Sequence, residues 1–172
     1  FTSDRGGGDN LWIMNRDGSG LRRVSPDGER WLIAVWSGDG TRVIASNDTD
    51  PHLLDAEAAS ASQQPVRFLP EEYNGQNVFA LASSPDGAWL AVTDAEFRRL
   101  GFYSFERREL KWSGVNAQRV KFIRGSGRVI AIGAEGLFAI DPETLQVTDI
   151  DAPGLEGIES FSRLMGGEEH LV

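Results

Sequence analysis

Short apolar runs alternate with polar turns along this chain, and the runs fall into sets of four. Val78-Phe79-Ala80-Leu81-Ala82 and Trp89-Leu90-Ala91-Val92-Thr93 flank the turn Ser84-Pro85-Asp86-Gly87. Two β-rich runs around such a turn predict a hairpin: Pro presets φ at the second turn position and Gly supplies positive φ at its end. Related turns recur at Asp39-Gly40, Gly125-Ser126-Gly127 and Gly166-Gly167. With residues 39, 86, 126 and 166 as anchors, the spacings are 47, 40 and 40 residues. An apolar run follows each anchor: Arg42 to Ser46, Trp89 to Thr93, Arg128 to Ile132, and His170 to Val172. One further copy, Ser25-Pro26-Asp27-Gly28, is out of register and reads as the link between two units.

A third run comes next in each unit: Leu11 to Asn15, His52 to Asp55, Leu100 to Phe105, and Leu137 to Asp141. A polar turn and a more polar fourth run close the unit: Leu21 to Val24, Val66 to Leu69, Leu110 to Trp112, and Val147 to Ile150. Four short strands at a period near forty residues are the signature of a β-propeller blade. The second run is apolar almost throughout, as expected of a strand buried on both faces between stacked blades. The fourth suits an outer rim. Two segments resist the pattern. Ala56 to Gln64 is Ala-rich, but register makes it the end of a third strand and a long turn, with room for one helical turn. Glu156 to Glu169 reads in register as a first strand, a glycine turn and the start of a second strand.

The fold class that follows is all-β: a β-propeller of four four-stranded antiparallel blades in a single domain over 1–172, one blade split between the two ends. Phe1-Thr2-Ser3-Asp4 reads as the end of a second strand and His170-Leu171-Val172 as the start of one. Joined tail to head they make one ordinary strand. The chain is therefore expected to close as four blades, to form half of an eight-bladed ring completed by a homodimer, or to be part of a longer propeller.

Composition narrows the function. Apolar residues make up 40% and charged residues 25%, ordinary for a folded domain of 172 residues. The net charge of −9 disfavours nucleic acid and anionic membranes, and the pairs Arg22-Arg23, Arg98-Arg99 and Arg107-Arg108 are too short and scattered to offset it. With no Cys, disulfides and thiolate chemistry are excluded. No run is long enough for a membrane-spanning helix, and no signal peptide is read.

Candidate chemistry is sparse. No Gly-x-Ser-x-Gly elbow, Walker loop or dinucleotide glycine pattern occurs, so neither a catalytic set nor a cofactor is expected. Gly6-Gly7-Gly8 follows a strand and precedes another, which makes it a flexible loop. Asn15, Asp17 and Ser19 alternate before Gly20 but lack the later Glu of a calcium loop, and a β-turn is the better reading. His52 and His170 have no partner at metal-ligand spacing. His52 reads as surface at a loop-to-strand junction, His170 as in or beside a buried strand.

FTSDRGGGDNLWIMNRDGSGLRRVS at 1–25 and SSPDGAWLAV at 83–92 resemble the repeat of the TolB-type propellers, with fainter likeness elsewhere. The dipeptides of WD repeats are missing. The resemblance implies a non-enzymatic bacterial propeller, often periplasmic or exported, that binds proteins or peptides through one face or the central channel. Similar blades gate the catalytic domain of prolyl-oligopeptidase-like peptidases, which makes a substrate-gating piece the alternative, and a self-assembling fragment a third. TolB-like proteins have six blades and a preceding α/β domain, neither of which this chain holds.

In a propeller the loops from second to third strand and from blade to blade gather on one face. The candidate ligand-binding set there is Asp4, Arg5, Asp48, Asp50, His52, Glu72, Tyr73, Asp94, Glu96, Phe97, Arg98 and Glu135. Asp48, Asp50, Asp94 and Glu96 would supply charge to a basic peptide, a cationic ligand or a metal ion, and Phe97 and Tyr73 aromatic anchors. Alternatively, the acidic loops only keep the protein in solution.

Overall fold

The computed structural model describes residues 1–151 apart from 6, 97, 118 and 134. The strands expected from Glu156 to Glu169 and from His170 to Val172, and the side chain of Phe97, lie outside the described residues. Among the described residues fifteen strands form four antiparallel sheets, each following chain order. The first sheet holds β1 (Thr2–Ser3), β2 (Asn10–Ile13) and β3 (Arg22–Arg23). The second holds β4 (Ile33–Trp36), β5 (Arg42–Ser46), β6 (Pro51–Asp55) and β7 (Val66–Arg67). The third holds β8 (Phe79–Ser83), β9 (Trp89–Thr93), β10 (Leu100–Ser104) and β11 (Glu109–Trp112). The fourth holds β12 (Arg119–Phe122), β13 (Val129–Gly133), β14 (Gly136–Ile140) and β15 (Val147–Asp149). These are the blades of a propeller. The expected inner strand of the first falls beyond the described residues.

The repeat translates directly into this layout. The inner strands β4, β8 and β12 follow one another, β8 lying beside both β4 and β12. Two of the apolar second strands are buried as expected, over Val43 to Ser46 and Leu90 to Thr93; in β13 Val129 and Ala131 are buried while Ile130, Ile132 and Gly133 are partly exposed. Three cores result. Leu11, Val24, Trp31, Val43, Ala45 and Leu54 fill the space between the first and second blades. Ile44, Val78, Leu90, Val92 and Tyr103 lie between the second and third. Phe102, Phe122, Val129, Phe138 and Ile140 lie between the third and fourth. Side chains alternate along a strand, so one strand feeds two cores: in β5, Val43 and Ala45 enter the first and Ile44 the second, and in β9, Leu90 and Val92 enter the second and Ala91 the third.

Polar links run across the blade boundaries. Ser46 Oγ accepts from the Ala80 amide at 2.9 Å, in a buried position. Ser46→Ala leaves that N–H without a partner and is expected to cost about 1–3 kcal/mol. Urea unfolding measures it, and a loss near zero would show that water replaces the hydroxyl.

The glycine turns behave as their chemistry requires. Gly40 and Gly87 have φ of 71° and 73°. Asp39 accepts from Ser37 Oγ, the Thr41 amide and Thr41 Oγ1. The Ser37 hydroxyl, followed by the Thr41 groups, lowers its pKa to about 2. A depressed carboxyl contributes stability above its unfolded value near 3.9, and the contribution is lost as pH falls through about 2. Asp39→Asn should therefore be less stable than the parent at pH 6, and the difference should close as pH falls from about 4 to about 2 in thermal melts. A difference unchanged with pH would contradict the assignment. Asn15, Asp17 and Ser19 form the expected turn: Asp17 Oδ1 accepts from Ser19 N at 3.0 Å and Ser19 Oγ at 2.6 Å.

Ala56 to Gln64 contains one 3-10 turn, Ser60–Ser62, within the long turn that register demanded. Another 3-10 turn, Glu71–Tyr73, lies between the second and third blades.

Candidate functional site

Chain direction decides where the loops go. In an antiparallel blade the turn from first to second strand lies at one end. The turn from second to third strand and the exit to the next blade lie at the other. Hydrogen bonds stitch these latter segments together. Trp31 N donates to Asp9 O at 2.9 Å and Val78 N to Thr49 O at 3.0 Å. Asn47 Nδ2 donates to Glu29 at 3.0 Å. Arg30 pairs with Asp9 at 2.7 Å and approaches Asp48 at 3.9 Å. These bonds tie the loops of the first and second blades to each other and to the start of the third.

Its residues divide into two groups. Asp50 is 2% exposed, and its Oδ2 accepts from Arg67 Nε at 3.1 Å. The rest of the Arg67 fork donates to Leu69 O at 3.0 Å and Pro70 O at 3.2 Å. Pro70 O also accepts from Tyr73 N at 3.0 Å, so this ion pair fixes the 3-10 turn that carries Glu71 and Glu72. Asp94 does the same for its own loop: Oδ1 accepts from Arg98 N at 2.8 Å and Arg99 N at 3.3 Å, and Oδ2 from Arg99 Nε at 3.0 Å. Burial opposes ionisation of Asp94, but the amides and the Arg99 side chain together outweigh it and lower its pKa. Arg99 lies over the Trp112 ring at 4.5 Å, which ties the loop to the outer strand β11.

Asp4, Asp48, Glu71, Glu72, Glu96 and Glu135 are exposed. Glu96 meets Arg98 at 3.0 Å, both open to water, a pairing of small energetic weight. Arg5 lies over Trp12 at 5.7 Å.

His52 departs from expectation. It lies inside β6, half-buried, with Nδ1 3.0 Å from Asp50 O and its ring edge-on to Trp31 at 5.8 Å. The carbonyl partner makes Nδ1 the donor. Tyr73 also looks inward: its hydroxyl donates to Leu110 O at 3.3 Å and its ring sits 6.4 Å from Trp112. Among the described residues no cluster of three or more His, Asp or Glu is placed to hold a metal ion, and no helix is long and apolar enough to cross a membrane.

Sequence reasoning missed Arg67, Arg30 and Glu29. Arg67 read as one charge on a rim strand, and nothing local ties it to Asp50.

No family model matches the chain, and no curated protein sequence matches it. Solved structures do. Puromycin hydrolase superposes with a TM-score of 0.56 at 18% identity, over 84% of this chain and 24% of that one. TolB from Acinetobacter baumannii gives 0.56 at 14% identity, over 83% and 38%. An auxiliary nutrient binding protein from Bacteroides thetaiotaomicron gives 0.57 at 13% identity, over 82% and 36%. The chain spans between 24% and 38% of the length of these proteins. At such identities the likeness establishes the fold alone.

Proposed function

We propose that this TolB-like β-propeller is a non-catalytic binding scaffold whose contact surface is its acidic loop face, and that its partner is a protein or peptide with basic residues. One observation carries the reading. Asp50 and Asp94 are spent inside the loops, holding them in fixed shapes, while Asp48, Glu72, Glu96 and Glu135 remain in water on the same face. Loops fixed before binding lose little entropy on binding, and charge of one sign steers an oppositely charged partner.

Isothermal titration with a lysine-rich peptide at low salt tests this. The combined change Asp48→Asn, Glu72→Gln, Glu96→Gln and Glu135→Gln should weaken binding about tenfold or more. A neutralised face that holds the peptide as tightly sinks the assignment. The TolB and nutrient-binding likenesses favour this reading. The puromycin hydrolase likeness favours a second one, in which the blades belong to a propeller that screens substrates for a peptidase. A hydrolase domain encoded in the same reading frame would support that reading. An exported or periplasmic location suits either.

A further inference from the structure

The opposite end of the blades carries a groove that goes beyond the binding face proposed above. There the turns between first and second strands stack one on the next. Gly38, in the second blade's turn, sits so close to the third blade's turn that an added Cβ would meet Gly87 N at 2.4 Å and Ser84 O at 2.5 Å. That contact leaves no space between the two turns. At the next boundary the residue corresponding to Gly38 is Pro85, whose ring stands exposed. The facing turn of the fourth blade is also longer by one residue: 123–128 between β12 and β13, against 84–88 between β8 and β9. These two turns stand apart around a groove of about 630 Å³, lined by Pro85, Asp86, Trp89, Phe122, Ile123 and Arg124.

Its chemistry is asymmetric. Trp89 and Phe122 both belong to the apolar packing between these blades and form the wall. On one lip, Asp86 Oδ1 is occupied by Ser84 Oγ at 2.5 Å and Ala88 N at 3.0 Å. Oδ2 has no partner among the described residues. On the other lip Arg124 is exposed and makes no ion pair or hydrogen bond among the described residues. Asp86 and Arg124 line the same groove without pairing. An open groove of this size, with an aromatic wall and two separated polar groups of opposite sign, can seat a small ligand along one side.

We infer that this groove binds an aromatic side chain carried next to a free carboxylate: the ring on Trp89 and Phe122, the carboxylate on Arg124, and an N–H of the ligand backbone on Asp86. The chemistry is shared by the C-terminal residue of a peptide and by a free N-acylated aromatic amino acid. Arg is the side chain suited to a planar carboxylate, and a single aromatic wall gives orientation without enclosing the ligand.

The test uses the whole chain with 15N labelling and three probes: N-acetyl-L-phenylalanine, acetyl-Ala-Ala-Phe with a free carboxylate, and the same peptide as its C-terminal amide. The acids should shift the Trp89 indole resonance and the Gly125 and Gly127 amides, saturating near millimolar concentration as expected of ligands this small. The amide should bind about tenfold more weakly. Arg124→Gln, a change at an exposed side chain, should weaken the acids to the level of the amide and leave the far-UV circular dichroism unchanged. A tripeptide acid that binds well above the acetylated amino acid identifies a peptide C-terminus as the source; equal binding identifies the free acylated amino acid. No shift at the groove, equal binding of acid and amide, or no effect of Arg124→Gln each overturns the inference.

Discussion

Trp31→Ala should cost about 3–5 kcal/mol of stability, the range for truncating a fully buried tryptophan. Trp31 has no accessible surface and is among the largest fully buried side chains of the described residues. It fills the core between the first and second blades, against Leu11, Val24, Val43, Ala45 and Leu54. The strands on both sides are pinned by their own ladders, so the site cannot collapse onto the vacated volume. For a domain of this size the loss corresponds to a fall in Tm of about 6–20 °C. Trp31→Phe separates volume from polarity. The indole Nε1 is buried with no partner among the described residues, so the smaller ring also removes an unsatisfied donor. Phe should retain most of what Ala loses. Thermal and urea unfolding of the two variants decide it. An Ala variant within about 1 kcal/mol of the parent would mean that this core repacks freely, contrary to the close packing of protein interiors.

Asp50→Ala is the second large effect, expected at about 2–4 kcal/mol. Removing one member of a buried ion pair strands the other, which typically costs 3–5 kcal/mol. The Arg67 side chain is 25% exposed and keeps its bonds to Leu69 O and Pro70 O, which lowers the figure. The distinctive outcome is local. Faster hydrogen exchange at the Tyr73 and Asn74 amides should accompany the loss, because their turn hangs on Pro70, the acceptor of the Arg67 fork. The double change Asp50→Leu with Arg67→Met removes both charges and should recover part of the stability. A double variant as unstable as the sum of the two single ones would show that the residues do not act as a pair.

The blades were legible because their signal is periodic. Turn chemistry at Asp39-Gly40 and Asp86-Gly87, with a continuous apolar run after each, places β5 and β9 without reference to anything distant. The loop face was legible for the same reason, as strand order alone dictates which loops share an end. What each loop residue does was not. Asp48 and Asp50 look alike in sequence, yet one is in solvent and the other buried against Arg67, 17 residues away. Tyr73 reads as an exposed aromatic on a loop until Leu110, 37 residues on, is seen to accept its hydroxyl. Trp31 belongs to none of the apolar runs, and its burial follows from the path of the link between blades. Partners fixed by packing leave no trace in local composition. Pro85 is an intermediate case: it reads as an ideal turn residue, and only the tight seat of Gly38 at the preceding boundary shows that it also opens a gap.

Every ladder among the described residues joins strands that are consecutive in the chain. This has a kinetic consequence. Topologies rich in pairings distant in sequence fold slowly, because long loops must close before any contact rewards them. Here each hairpin closes over a short span, and the second, third and fourth blades can each assemble before their neighbours exist. The chain should therefore fold fast for an all-β protein. The stacking of one finished blade on the next, rather than the formation of strands, then becomes the step that sets its speed.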